Sequence, residues 1–155
     1  MNTNKILRQI KLLFWTILAA MLVMMIIALL VVRQMGPVVE WTISQKENFK
    51  AMILILSLGG IPASYFFHTK KIKHLNQELS FDEKLMQYKS SFFIKIVTLE
   101  ALAVLGLIGY MLTADNTFIY VFALLFLAYL INRPTLHNIS NEIEPENFDE
   151  TDNSE

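Results

Sequence analysis

An uncharged run of apolar residues near the start of the chain restricts its possible folds more than any other feature. The run covers residues 12–32, and a helix of about 21 residues crosses the roughly 30 Å hydrocarbon core of a bilayer. A signal peptide has a shorter apolar segment followed by small residues at a cleavage site, and the sequence Arg33-Gln34-Met35-Gly36-Pro37 offers no such site. The run therefore predicts an uncleaved transmembrane helix.

Three further apolar runs follow in a chain that is 54% hydrophobic. They cover residues 51–67, 92–112 and 118–131. The last is short for a full span and depends on Asn132 and Arg133 lying at the membrane interface. The pattern predicts an all-α fold, an integral membrane four-helix bundle in which helices 2 and 3 extend into the cytoplasm.

The distribution of basic residues orients this bundle. Only Arg33, Lys46 and Lys50 fall on the side of the connection between helices 1 and 2. Nine lie on the other side: Lys5, Arg8, Lys11, Lys70, Lys71, Lys73, Lys84, Lys89 and Arg133. Because loops rich in Lys and Arg stay in the cytoplasm, both termini are predicted to be cytoplasmic, in a bacterial inner membrane.

The connection between helices 2 and 3, residues 68–91, is patterned as a helical hairpin. Ser80 and Glu83 match a capping box, which places the turn at Ser80. A similar pattern at Ser44 and Glu47 predicts that helix 2 begins near Gln45. Two apolar stripes line the hairpin, Ile72, Leu75 and Leu79 on one arm and Phe81, Leu85, Tyr88 and Phe92 on the other. The stripes either close the hairpin on itself or form a docking surface.

The last part of the chain divides into a short helix and an acidic tail. Residues 134–143 predict a juxtamembrane helix with Leu136, Ile139 and Ile143 on one face, lying along the membrane surface. The acidic residues begin at Glu142, and residues 144–155 have no basic side chain and little apolar content. Such a composition predicts a disordered, solubilising tail.

Glu100 is the candidate functional residue within the membrane. Counted from Phe92, it lies about 12 Å along helix 3, at a depth where a carboxylate needs water, a partner or a proton. Ala103 and Gly106 lie on neighbouring positions and would let another backbone approach closely. Two interpretations stay open: Glu100 has a function of its own, or it is protonated or hydrogen-bonded and only fixes helix packing.

Four polar or charged residues are candidate neighbours of Glu100. Tyr65 and His68 end helix 2, Arg133 ends helix 4, and Lys95 lies five residues before Glu100 on helix 3. Five residues correspond to about 140° around a helix, which is unsuited to an ion pair within helix 3. We therefore expect Lys95 to extend towards the lipid headgroups.

The sequence carries no recognisable catalytic, cofactor or metal motif. It has no cysteine, and its three histidines match no metal-ligand spacing. It also lacks a glycine-rich phosphate loop and a nucleophile elbow. The balance of 13 basic and 14 acidic residues does not indicate a nucleic-acid partner. We expect no enzymatic activity, no cofactor and no bound metal.

Two resemblances are carried by short segments. Glu83-Lys84-Leu85-Met86-Gln87-Tyr88, the segment around Glu100 and Asn132-Arg133-Pro134 resemble an uncharacterised family of small four-span bacterial inner-membrane proteins, which implies location and fold but no activity. Residues 99–107 of helix 3 also resemble the ion-binding helix of ATP-synthase c subunits, whose glutamate carries a proton or sodium ion. Helix 2 has only Gly59 and Gly60 where those subunits have a glycine repeat.

These observations lead to two functional hypotheses. The first is a small membrane scaffold or accessory subunit that binds another membrane protein, or further copies of itself, through its helix faces and hairpin. The alternative is an oligomer that translocates an ion or solute with the help of Glu100. An enzyme acting on lipid ranks last. In either case the partners are the lipid bilayer and other membrane proteins.

Overall fold

The computed structural model describes residues 3–74 and 79–143, and these residues form five α-helices. Their bounds are α1 Thr3–Met35, α2 Ile43–Lys73, α3 Phe81–Thr113, α4 Thr117–Ile131 and α5 Leu136–Ile143. The predicted acidic tail, residues 144–155, and residues 75–78 of the predicted hairpin, Leu75 among them, lie outside the described part of the chain.

Helix α3 is the central element, and each of the other four helices packs against it. Its buried side chains include Leu85, Tyr88, Phe92, Ile96, Leu99 and Ala103, which follow one another at intervals of three or four residues. An α-helix places such residues on one side, so they give α3 a continuous apolar face. This face forms the middle of the core.

Helices α1 and α3 run parallel and nearly in register. Thr3 of α1 hydrogen-bonds Asp82 of α3, and Gln9 accepts a hydrogen bond of 2.6 Å from Lys89, 80 positions later. The apolar run at residues 92–112 begins and ends 80 positions after the run at residues 12–32. This separation equals that of the bonded pair Gln9 and Lys89. The two apolar segments therefore begin and end at the same levels.

Helix α2 runs antiparallel to α3. His68 contacts Ser91 at one end, Gly60 lies against Leu102 in the middle, and Ile53 lies against Gly109 towards the other end. This order brings the apolar run at residues 51–67 to the levels of the other two runs. The basic residues after Phe67 accordingly lie at the end of α3 that carries Ser91.

Helix α4 approaches α3 closely because α3 presents glycine there. A Cβ atom at Gly106 would lie 3.6 Å from the carbonyl oxygen of Phe118 and 3.7 Å from the amide nitrogen of Phe122, both in the α4 backbone. At Gly109 it would lie 2.6 Å from a ring carbon of Phe118. Gly106, one of the two small residues predicted to admit a neighbouring backbone, thus faces α4.

The helix termini use side-chain caps, in one case at a different position from the predicted one. Helix α2 begins at Ile43, not near Gln45, because Thr42 is its N-cap. The Thr42 N–H donates to Gln45 Oε1 at 3.0 Å, and the Gln45 N–H donates to Thr42 Oγ1 at 3.4 Å. The capping box predicted at Ser80 is present: the Ser80 N–H donates to Glu83 Oε2 at 3.0 Å.

The chain reverses between α3 and α4 through a left-handed residue. Ala114 has φ 55°, and its N–H donates to the Tyr110 carbonyl at 2.8 Å, which closes the end of α3. Asp115 Oδ1 then accepts a hydrogen bond of 2.8 Å from the N–H of Thr117, the first residue of α4. Asp115 Oδ2 also pairs with Lys50 at 3.2 Å, which joins this turn to the start of α2.

Helix α5 turns away from α4 and packs against α3. The axes of α4 and α5 differ by 78°. Ile139 and Ile143 are buried, whereas Leu136 is exposed.

Among the described residues, α1, α2 and α3 are each long and apolar enough to span a membrane. Helix α4 is long and apolar enough only if it is counted together with α5 as one bent span. The chain therefore has the helices of a membrane protein.

Candidate functional site

Glu100 lies on α3, where its side chain is neither fully buried nor fully exposed. Its carboxylate is close enough to the Tyr129 hydroxyl of α4 for an electrostatic interaction. That hydroxyl donates its hydrogen bond to the Phe14 carbonyl at 2.8 Å and so cannot donate to Glu100. Within the part of the chain that the structure describes, Glu100 makes no hydrogen bond or ion pair.

The structure places two of the candidate neighbours of Glu100 in contact with each other. The Lys95 ammonium lies 5.0 Å from the centre of the Tyr65 ring, and Lys95 is only 4% exposed. The expectation that Lys95 extends to the headgroups is therefore wrong: the ammonium is held over aromatic rings, where the negative ring face attracts it. The Tyr65 hydroxyl accepts a hydrogen bond from Asn132.

The other two candidate neighbours also contact residues other than Glu100. The Arg133 guanidinium lies 5.7 Å from the centre of the Trp15 ring on α1. The His68 ring is buried, with Nδ1 2.8 Å from Ser91 Oγ and Nε2 3.1 Å from Glu142 Oε2. Glu100 thus stands apart from the four residues that the sequence suggested as its neighbours.

A second site forms where the ends of α2 and α5 meet α3. We call it the polar cluster and define it as His68, Tyr88, Ser91, Lys95 and Glu142. Glu142 extends from α5 to bond His68, and the Tyr88 hydroxyl also donates to its carboxylate. The Ser91 hydroxyl lies within 3.4 Å of the His68 carbonyl oxygen. Helix α5 is thus attached to α2 and α3 by both apolar and polar contacts.

The electrostatics of the polar cluster favour an ionised Glu142. Burial alone raises the pKa of Glu142, but the hydrogen bond from His68 and the charge of Lys95 outweigh it and bring the pKa below its usual value. An ionised carboxylate only accepts hydrogen bonds, so His68 carries a proton on Nε2. Glu142 in turn is the acidic group that balances the buried Lys95.

The polar cluster contains a serine, a histidine and a carboxylate in bonded order, which invites comparison with a nucleophilic site. Nucleophilic acyl transfer also needs donors aimed at the developing oxyanion. Ser91 lies within α3, where the backbone N–H groups are used by the helix itself. The hydroxyl is also only 3% exposed. The arrangement is suited to holding helices together rather than to attacking a substrate.

An open groove of about 480 Å³ lies on the other side of His68, between α2 and α3. Its walls combine aromatic, aliphatic, basic and amide side chains: Phe67, His68, Lys70, Lys71, His74, Gln87, Ser91 and Ile94. The Lys71 ammonium crosses towards α3 and donates to Ser90 Oγ at 3.3 Å. Of the lining residues that the structure describes, none is acidic.

Sequence reasoning missed the most connected residue of the polar cluster. The sequence indicates only that Glu142 begins the run of acidic residues, at the end of the predicted helix 134–143, whereas the structure places it on α5 against His68. One signal was available, because Glu142 lies between Ile139 and Ile143 and therefore near the apolar face of a helix. Ser91 and Tyr88 gave no comparable signal.

No group of three or more metal-ligating side chains occurs within residues 3–74 and 79–143.

Comparison of the chain with protein-family models, with curated proteins and with solved structures gives no match.

Proposed function

We propose that the chain is a four-span protein of the bacterial inner membrane with both termini in the cytoplasm. Three observations support this arrangement. The apolar segments of α1, α2 and α3 occupy the same levels. Helix α4 lies beside them, because Phe118 at its start packs against Gly109 of α3 and Asn132 at its end donates a hydrogen bond to Tyr65 of α2. Nine basic residues lie at the end that carries Ser91, against three at the other.

Within this membrane the protein acts as a scaffold or accessory subunit through protein–protein contacts. The observation that carries the proposal is that the Glu100 carboxylate has no hydrogen bond from the described residues although it is only partly exposed. By helix rise, Glu100 lies about 12 Å into the membrane. Facing lipid, an unpaired carboxylate is strongly disfavoured. A transmembrane helix that supplies a hydrogen-bond donor, from another membrane protein or from a second copy of this chain, would satisfy it.

Photocrosslinking in native membranes tests this role. A crosslinking amino acid at Val104, one helical turn from Glu100 on the same face, should capture a membrane protein or a second copy. The same amino acid at Ile55, which is 71% exposed on α2, serves as the control position. We expect the Val104 crosslink to persist with Glu100→Gln, which keeps hydrogen-bonding capacity, and to disappear with Glu100→Leu. A chain that stays monomeric and uncrosslinked at native expression contradicts the proposal.

One observation favours the alternative, an oligomer that translocates an ion or solute. Glu100 is about 7.5 Å along α3 from Lys95 by helix rise, and Lys95 is followed by Glu142 and His68 towards the basic end. Ionisable groups thus extend from the middle of the membrane to its surface, as in proton pathways. Flux measurements in vesicles decide this case, because Glu100→Gln should abolish proton or solute flux, and unchanged flux rejects translocation through Glu100.

A further inference from the structure

The groove between α2 and α3 has two chemically different ends. Phe67 and Ile94 form one end and are 64% and 52% exposed. Lys70, Lys71 and His74 form the other end, together with Gln87 from α3. All four are hydrogen-bond donors, and the two lysines are positively charged. A molecule that fits the whole groove therefore needs an apolar part and an anionic part.

The position of the groove matches the boundary of the proposed membrane. Phe67 is the last residue of the apolar run of α2, and Ile94 lies near the first residues of the apolar run of α3. Lys70 follows Phe67 by about one helical turn and His74 by about two, or roughly 5 and 10 Å. The apolar end of the groove therefore lies at the level of acyl chains, and the basic end lies at the level of headgroups.

The charges nearest the groove favour an anion. Lys71 bonds to the hydroxyl of Ser90 rather than to a carboxylate. Glu142 lies on the opposite ring nitrogen of His68 and is already engaged there. Within the described part of the chain, no acidic residue forms an ion pair with Lys70 or Lys71, and lysine binds phosphate as a point charge.

We propose that this groove binds an anionic phospholipid. Its phosphate lies against Lys70 and Lys71, its headgroup hydroxyls contact His74 and Gln87, and an acyl chain passes over Phe67 and Ile94. The cytoplasmic leaflet is rich in anionic lipid, so the site faces its ligand in the proposed orientation. The inference rests on that orientation, but it does not depend on which protein partner contacts Glu100.

Native mass spectrometry of the full chain tests the site. The protein is released from nanodiscs that contain equal amounts of phosphatidylglycerol and phosphatidylcholine, and retained lipids are counted. The variant Lys70→Gln/Lys71→Gln is compared with Arg33→Gln/Lys46→Gln, which removes the same charge at the opposite end. We expect the first variant to lose about ten- to thirty-fold in preference for phosphatidylglycerol, at roughly 1 kcal/mol per lysine near the surface, and the control to retain it. Equal loss in both variants, or no preference in the wild type, overturns the proposal.

Two further arms separate a lipid from a free phosphate compound and from a failure of the membrane model. Glycerophosphoglycerol, which has the headgroup but no acyl chains, and inorganic phosphate should not displace the bound lipid at millimolar concentration. Displacement by either one shows a simple anion site and overturns the assignment to lipid. Alkaline extraction of membranes is measured first, because release of the wild-type chain would refute the membrane-spanning arrangement itself, whereas a retained chain without bound lipid refutes only this site.

Discussion

Gly109 offers a direct test of how tightly α3 and α4 are packed. A Cβ atom at this position would lie 2.6 and 2.7 Å from two ring carbons of Phe118 and 3.1 Å from the Ile53 Cδ1 atom. Both neighbours are almost fully buried, at 1% and 0% exposure, so neither can move into free space. Gly109→Ala should therefore force α3 and α4 apart.

The size of the effect follows from two opposing contributions. Overpacking a close-packed core by a methyl group costs about 1–3 kcal/mol, whereas alanine stabilises a helix over glycine by at most about 1 kcal/mol. Gly59 provides the matched control, because a Cβ atom there meets nothing within 4 Å. We expect Gly109→Ala to lower the free energy of unfolding by about 1–3 kcal/mol relative to Gly59→Ala, in which only the helix contribution remains.

Unfolding by sodium dodecyl sulfate in mixed micelles measures this difference. The Trp41 ring contacts the Phe49 ring, with ring centres 4.9 Å apart, and Phe49 packs against Phe118 with ring centres 5.9 Å apart. In variants made in a Trp15→Phe background, the fluorescence of Trp41 therefore reports on the region that is changed. The double variant Gly109→Ala/Phe118→Leu should recover part of the loss, because the smaller side chain makes room and the two effects are not additive. Equal stability of Gly109→Ala and Gly59→Ala would refute the close packing of α3 on α4.

Three other perturbations have expected outcomes. Tyr129→Phe removes the hydrogen bond to the Phe14 carbonyl and should lower the free energy of unfolding by about 0.5–1.5 kcal/mol in the same unfolding assay; an unchanged value would show that this bond adds nothing. Asp115→Ala removes the hydrogen bond to the Thr117 N–H and the ion pair with Lys50, and it should lower the free energy of unfolding by about 1 kcal/mol in the same assay. Asp115→Asn, whose side-chain oxygen still accepts from Thr117, should lose less. The pKa of Glu142 is lowered in the folded chain, so its contribution to α5 docking is fully present above the ordinary pKa of glutamate and is lost as the pH falls through the lowered value. The protection factors of the α5 amides, which are exchange rates corrected for the intrinsic effect of pH, should therefore fall in the wild type as the pH drops below the ordinary pKa of glutamate. Glu142→Gln should show low protection at every pH. Constant protection factors in the wild type would exclude this role of His68 and Glu142.

The sequence was a good guide to the lengths and order of the helices. Hydropathy alone identified the apolar part of α3, and the pattern of Ser80 and Glu83 located its start. Both signals are local, since apolar length and capping chemistry act within one or two helical turns. The start of α2 was predicted two residues too late. The sequence has two overlapping capping patterns, at Thr42 and at Ser44, and the structure uses the one at Thr42.

The polar contacts between helices were not predictable in the same way. Nothing in the local sequence indicates that Glu142 reaches His68, because the two residues are 74 positions apart. Lys95 was expected at the membrane surface, and it is buried because α5 brings a carboxylate towards it and Tyr65 offers an aromatic face. Such contacts depend on where α5 docks, which is a property of the whole fold.

The central position of α3 has a consequence for the order in which the chain assembles during synthesis. Within the described residues, α1 and α2 pack on α3 and share almost no contacts with each other. In the proposed membrane, the first two helices to leave the ribosome therefore have no stable partner until the third arrives. Any factor that holds them near the insertion machinery during this interval protects the chain from mispairing, and a pause in translation before α3 would expose it most.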